Sequence, residues 1–120
     1  MHELGSRSRR QPAPAHVVWR SLRYPYEAGS RPWLELRDDE VLPRVVAGYA
    51  PMLLVWSSLW PRRPLDRIRF DLTPGLPGRD CTLRWTLTTD GELPCEGTLG
   101  HLRHRLNYLV NGRLRRSYGQ

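Results

Sequence analysis

Two neighbouring stretches alternate apolar and polar residues with period two. In Asp66–Pro74, Ile68, Phe70 and Leu72 share one face, and Arg67, Arg69, Asp71 and Thr73 the other. In Cys81–Asp90, Leu83, Trp85 and Leu87 oppose Thr82, Arg84, Thr86 and Thr88. This pattern predicts two antiparallel strands with one dry and one wet face, joined by the turn GLPGRD. Asp71 and Arg84 are expected to pair across the wet face. From Thr98 the period becomes helical. Leu99, Leu102, Leu106, Leu109 and Val110 form one stripe with Leu114 at its edge, which predicts an amphipathic helix over 97–116. A shorter helix is expected over 14–23, where Ala15, Val18, Trp19 and Leu22 recur at helical spacing and Pro25 ends the pattern.

The other segments are less regular. Tyr26–Leu36 reads as a loop with a turn of helix around Trp33–Leu36. Val41–Tyr49 is rich in strand formers but broken by Pro43 and Gly48, which suits an edge or bulged strand. Residues 1–10 are polar and basic, an edge strand or a tail. Ala50–Pro61, APMLLVWSSLWP, is the most apolar run and is read as a strand over 52–60. Its twelve residues fall short of the ~20 needed to span a membrane as a helix. Leu54, Trp56, Ser58 and Trp60 fall on one face, taken here as the inward one. Leu53, Val55, Ser57 and Leu59 fall on the other.

Strands in succession followed by a long helix predict an α+β fold in one domain over 1–120. A curved antiparallel sheet wraps a C-terminal helix whose leucine stripe has no other dry surface to cover it. The stretches APAHVVWRSL, LVWSSLWPRRPLDRIRFDL, CTLRWTL and LRHRLNYLVNGRLRRSYGQ together resemble small bacterial members of the START-like (SRPBCC) superfamily, the polyketide cyclase/dehydrase-like proteins. The resemblance covers nearly the whole chain and includes no catalytic signature. It implies the helix-grip fold and an internal cavity for a lipid, polyketide or other hydrophobic molecule. This chain is short for that family, which implies a reduced cavity wall.

Composition changes the picture in three ways. The formal charge is +7, but all nineteen basic residues are arginine and lysine is absent. That is the profile of a GC-rich genome, so part of the charge follows codon usage, and a nucleic-acid partner is disfavoured. The basic helix end, with five arginines between Arg103 and Arg116, equally complements the helix dipole. The N-terminal MHELGSRSRRQ lacks the apolar core of a secretory signal, and a cytoplasmic location is expected. Cys81 and Cys95 make neither a metal framework nor a disulfide scaffold.

Candidate chemistry is sparse. The expected lining of a site between sheet and helix is Trp33, Trp56, Phe70, Trp85, Leu102 and Leu106, with Ser58 or Arg113 as the polar contact. At 100° per residue Arg113 projects into the leucine stripe, so it meets either a ligand anion or a surface acid. His101 and His104 stand three apart on the helix, without a third ligand, and no metal or cofactor is expected. Asp38-Asp39-Glu40 reads as a solvated loop. There is no catalytic triad spacing and no phosphate loop. Three functions follow: a binder of a hydrophobic small molecule; a cyclase or aromatase, which needs an inward acid or base such as His101 or Tyr108; and a domain with a filled core and no ligand. The chain is expected to be a monomer or homodimer.

Overall fold

The computed structural model describes residues 1–119 apart from 28 and 30; Ala28 and Ser30, in the expected loop, and Gln120, at the chain end, lie outside the described residues. The fold is α+β. Five antiparallel strands, β1 (His2–Gln11), β2 (Val45–Tyr49), β3 (Leu53–Ser57), β4 (Asp66–Pro74) and β5 (Cys81–Thr89), form one open sheet in the order β1-β5-β4-β3-β2. Helix α1 (Ala15–Arg23) follows β1. The C-terminal helix comprises α2 (Glu96–Leu106), a π-helical stretch (Asn107–Leu114) and a last turn, α3 (Arg115–Ser117).

The central hairpin forms where the period-two pattern is strongest. Ile68, Phe70 and Leu72 on β4 and Leu83, Trp85 and Leu87 on β5 are all buried, on the face that also receives the leucines of the C-terminal helix. Asp71 and Arg84 stand opposite each other in the register, yet they do not pair. Asp71 is held by Arg69 two residues away on its own strand, and Arg84 donates to the Ser6 hydroxyl on β1 at 2.9 Å. A closer partner on the wet face wins, because exposed pairs differ by only tenths of a kcal/mol.

Prolines and side-chain bonds shorten the two strands at the other edge. Pro43 has no N–H to give a ladder, and β2 starts only at Val45. Before it, Val41 N–H reaches Leu59 O at 2.8 Å and Arg44 N–H reaches Ser57 Oγ at 2.7 Å. β3 ends at Ser57, since Ser58 Oγ accepts from Trp60 N–H at 3.0 Å and folds the chain away. Leu54 and Trp56 are buried while Leu53, Val55 and Ser57 are half-buried, so along β3 the Trp56 face points inward; Leu59, expected on the opposite face, is fully buried, because alternation ends with the strand at Ser57. Residues 31–37 form no helical turn.

The C-terminal helix departs from a uniform α period at Asn107. A π turn carries an extra residue per turn and rotates everything beyond it. Leu114, on the edge of an ideal α stripe, is therefore fully buried. Arg113, central on that stripe, is turned toward the chain at 33–35. One buried cluster joins α1 (Ala15, Val18, Leu22), the sheet and the C-terminal helix. Each fully buried leucine, isoleucine or phenylalanine there contributes about 1.5–3 kcal/mol.

Candidate functional site

The segment from Trp33 to Glu40 crosses over the core between the sheet and the C-terminal helix. Trp33 stacks on Trp56 with ring centroids 6.0 Å apart and 17° between planes. Trp56 meets Phe70 edge-on at 4.8 Å. Trp56 has a second fixed contact, its indole N–H donating to Leu22 O at 3.0 Å. Leu102 and Leu106 are buried in the same cluster. Thus Trp33, Trp56 and Phe70 pack in a row, and Leu102 and Leu106 belong to the same buried core. Trp85 shares the inward face but stacks on neither Trp56 nor Trp33. Ser58 lies apart, its hydroxyl spent on both backbone groups of Trp60. Arg113 donates from Nε to Trp33 O at 2.8 Å and pairs through Nη1 with Glu35 at 3.1 Å.

Glu40 corrects the reading of its loop as solvated. Its carboxylate is enclosed and forms a two-pronged pair with Arg105, Arg105 Nε to Glu40 Oε2 at 2.8 Å and Nη2 to Oε1 at 2.6 Å. Arg37 N–H adds a third bond to Oε1 at 2.9 Å, and Arg105 also donates to Glu35 O at 2.9 Å. Burial pushes the Glu40 carboxyl up, but the hydrogen bonds from Arg105 and Arg37 and their charges outweigh it and hold it below its usual value. Arg105 is raised by its bond to Glu40, against its own burial. Two guanidinium groups on one helix, Arg105 and Arg113, therefore clamp the 33–40 segment over the core. Sequence reading misses Arg105; the available signal is its position beside Leu102, Leu106 and Leu109, where an unpaired charge is untenable.

Beyond this segment a cleft of about 580 Å³ opens between the end of α1 and the 42–45 segment. Its buried wall is Leu22 and Trp56, and its lips are Tyr24 and Tyr26 on one side and Leu42 and Val45 on the other. The cleft exists because Pro25 stops α1 and Pro43 delays β2, leaving both chains off the sheet edge. Arg20, Arg23 and Arg44 also line it. Arg20 is paired to Glu27, which holds the Glu27 carboxyl down. Arg23 lies over the Tyr24 ring at 4.9 Å. Neither Arg23 nor Arg44 has an acidic partner among the described residues.

A further cleft, of about 650 Å³, lies at the start of α2, between Trp60, Pro61 and Leu102. His101 faces it with Asp39 at 3.9 Å. His101, His104 and Tyr108 are exposed, so none of them points inward. Among the described residues no group of three or more His, Cys, Asp or Glu is placed to hold a metal ion, and no helix is long and apolar enough to cross a membrane.

No protein-family model matches the chain, and no curated protein sequence matches it significantly. Its architecture is shared with solved bacterial structures. XoxI from Bacillus cereus superposes with a TM-score of 0.66 at 12% identity, over 98% of this chain and 95% of that one. The Aha1 dimer from Colwellia psychrerythraea gives a TM-score of 0.60 at 13% identity, over 94% and 99%. CalU16 from Micromonospora echinospora gives 0.60 at 17% identity, over 89% and 71%. At these identities the likeness concerns the fold: an antiparallel sheet with a C-terminal helix.

Proposed function

We propose that the chain is a single START-like helix-grip domain that binds a small hydrophobic molecule carrying an anionic group. The observation that carries this reading is the cleft between α1 and the 42–45 segment, where apolar and aromatic walls meet two arginines with no acidic partner among the described residues. An apolar concavity with a few placed polar groups suits a small-molecule site. The space between the sheet and the C-terminal helix is occupied by the Trp33–Trp56–Phe70 stack, so this reading seats the ligand on the outer side of Trp56. Arg23 and Arg44 would meet a carboxylate or phosphate head, and Leu42, Val45 and the two tyrosines the apolar body. Binding is favoured over cyclase chemistry. Glu27, the one carboxylate among the described lining residues, is committed to Arg20, so no unpaired carboxylate among them faces the cleft.

Native mass spectrometry of gently purified protein, followed by denaturing extraction, tests this. A stoichiometric hydrophobic acid is expected. Leu42→Glu, at an exposed lip, is expected to weaken binding of a fluorescent fatty-acid probe at least tenfold without altering the thermal midpoint. A bare protein mass together with no response to that probe overturns the reading in favour of a domain with a filled core.

A further inference from the structure

A different cleft, of about 430 Å³, lies between β1 and the C-terminal helix, lined by Ser6, Arg7, Trp85, Arg103, His104 and Asn107 together with Gly5. Three features show that it is built. The first is Gly5. It sits at a register shift of β1 against β5, and a Cβ there would come within 2.6 Å of Arg103 Nε and 3.1 Å of its Cγ. With no Cβ at position 5 the Arg103 side chain lies directly against the strand, and a Cβ there would force it to shift.

The second is the state of the donors. Arg103 Nε donates to Leu4 O at 2.7 Å, which fixes the guanidinium plane while Nη1 and Nη2 have no partner among the described residues. Asn107 Oδ1 accepts from Asn111 Nδ2 at 2.8 Å, which leaves the Asn107 amide N–H₂ to donate outward. That pairing joins the first and fifth residues of the π stretch. Arg7, beside Trp85 in the register, has no acidic partner among the described residues. The third is Trp85, a buried side chain in the cleft wall whose Nε1–H, like those of Trp33 and Trp60, has no acceptor among the described residues. Its ring gives the space a flat apolar floor beneath the two arginines.

No carboxylate belongs to this lining. Two guanidinium groups, an amide and an imidazole border one space beside the Trp85 ring. A ligand that suits them carries negative charge and several oxygen acceptors pointing in different directions, which is the chemistry of a phosphate rather than of a planar carboxylate. We propose that the cleft between β1 and the C-terminal helix binds the phosphate or pyrophosphate group of a small organic molecule, with Arg103 and Arg7 as the anchoring cations, the Asn107 amide as a neutral donor and the Trp85 ring as the floor. The space exceeds what one phosphate fills, and the organic remainder occupies the rest. The site is separate from the apolar cleft beside α1 and stands whether or not that cleft holds a ligand.

The test is titration of the full chain with inorganic pyrophosphate at low ionic strength, followed by the five indole N–H signals in a proton–nitrogen correlation spectrum. The expected result is a saturable shift of the Trp85 signal while those of Trp19, Trp33, Trp56 and Trp60 stay in place. Affinity is expected to fall at least tenfold in Arg7→Gln, an exposed change that leaves the fold intact, and likewise in Gly5→Ala, which displaces Arg103. Arg62→Gln, remote from the cleft, is expected to bind as the parent does. A Trp85 signal unmoved at millimolar pyrophosphate overturns the proposal. So does equal weakening by Arg62→Gln and Arg7→Gln, which marks diffuse attraction to a basic protein. Binding of a duplex oligonucleotide without any response to pyrophosphate also overturns it and points to a nucleic-acid surface.

Discussion

Among single residues, Glu40 and Arg105 are the most tightly constrained. Each is a charge inside the protein, tolerated because two parallel hydrogen bonds to the other and one backbone partner of its own satisfy it. Removing one member strands the other. Glu40→Ala is expected to cost about 3–5 kcal/mol in denaturant unfolding, and the double change Glu40→Leu/Arg105→Met considerably less than the two single changes added together. The pair also sets a pH dependence. The Glu40 carboxyl is lower in the folded chain than its ordinary 4.5, so its contribution is fully present above pH about 4.5 and is lost as pH falls through the lowered folded value. Stability measured between pH 6 and pH 2 should therefore decline less steeply in Glu40→Leu/Arg105→Met than in the parent. At this scale the sequence was least legible. Asp38-Asp39-Glu40 contains no mark separating its exposed members from its enclosed one. The distinction is made by Arg105, sixty-five residues later, and a contact at that separation leaves no local pattern.

Elements were legible where one face is dry. The hairpin β4–β5 and helix α1 fall within a residue or two of the ranges that alternation and helical spacing predict. Errors gather where a backbone group is satisfied by something other than its own ladder: Ser57 and Ser58 at the end of β3, Pro43 before β2, and the π turns after Asn107. The last error has the largest effect on the candidate site. A single widening of the helix moves Arg113 out of the core stripe and Leu114 into it, and residue types alone do not announce a π turn. Upstream, α2 is ordinary and can be improved. Gly100 lies in mid-helix, exposed, and a Cβ there would meet nothing within 4 Å beyond its own stretch of helix backbone. Gly100→Ala should stabilise the protein by about 0.5–1 kcal/mol, raising the thermal midpoint by a few degrees. An unchanged or lowered midpoint in differential scanning calorimetry would contradict an undistorted α segment there.

For the molecule as a whole, sheet order matters more than any single contact. The first strand joins the last one, and β5 is an interior strand only because β1 covers its outer edge. Leu4 and Gln11, near the two ends of β1, are buried. Deleting residues 1–11 should therefore abolish cooperative unfolding, not merely trim a tail; circular dichroism with a preserved sharp thermal transition would refute this. The overall α+β arrangement was accessible from the sequence because period-two strands and one leucine-striped helix admit few ways of hiding their apolar faces. The clefts were not accessible. They arise at the margins of packing, where prolines hold chains away from the sheet or a glycine lets an arginine through.

The pairing of β1 with β5 also bears on how the protein is born. About seventy residues separate Gln11 from its partner Cys81. At synthesis rates of about 5–20 residues per second, the emerging first strand waits several seconds before its mate has been made. An unpaired strand is an invitation to neighbouring nascent chains. This one carries arginine at positions 7, 9 and 10, and like charges repel one copy from the next. Arg7, which borders the cleft in the finished fold, thus joins Arg9 and Arg10 in keeping the strand solitary while it waits.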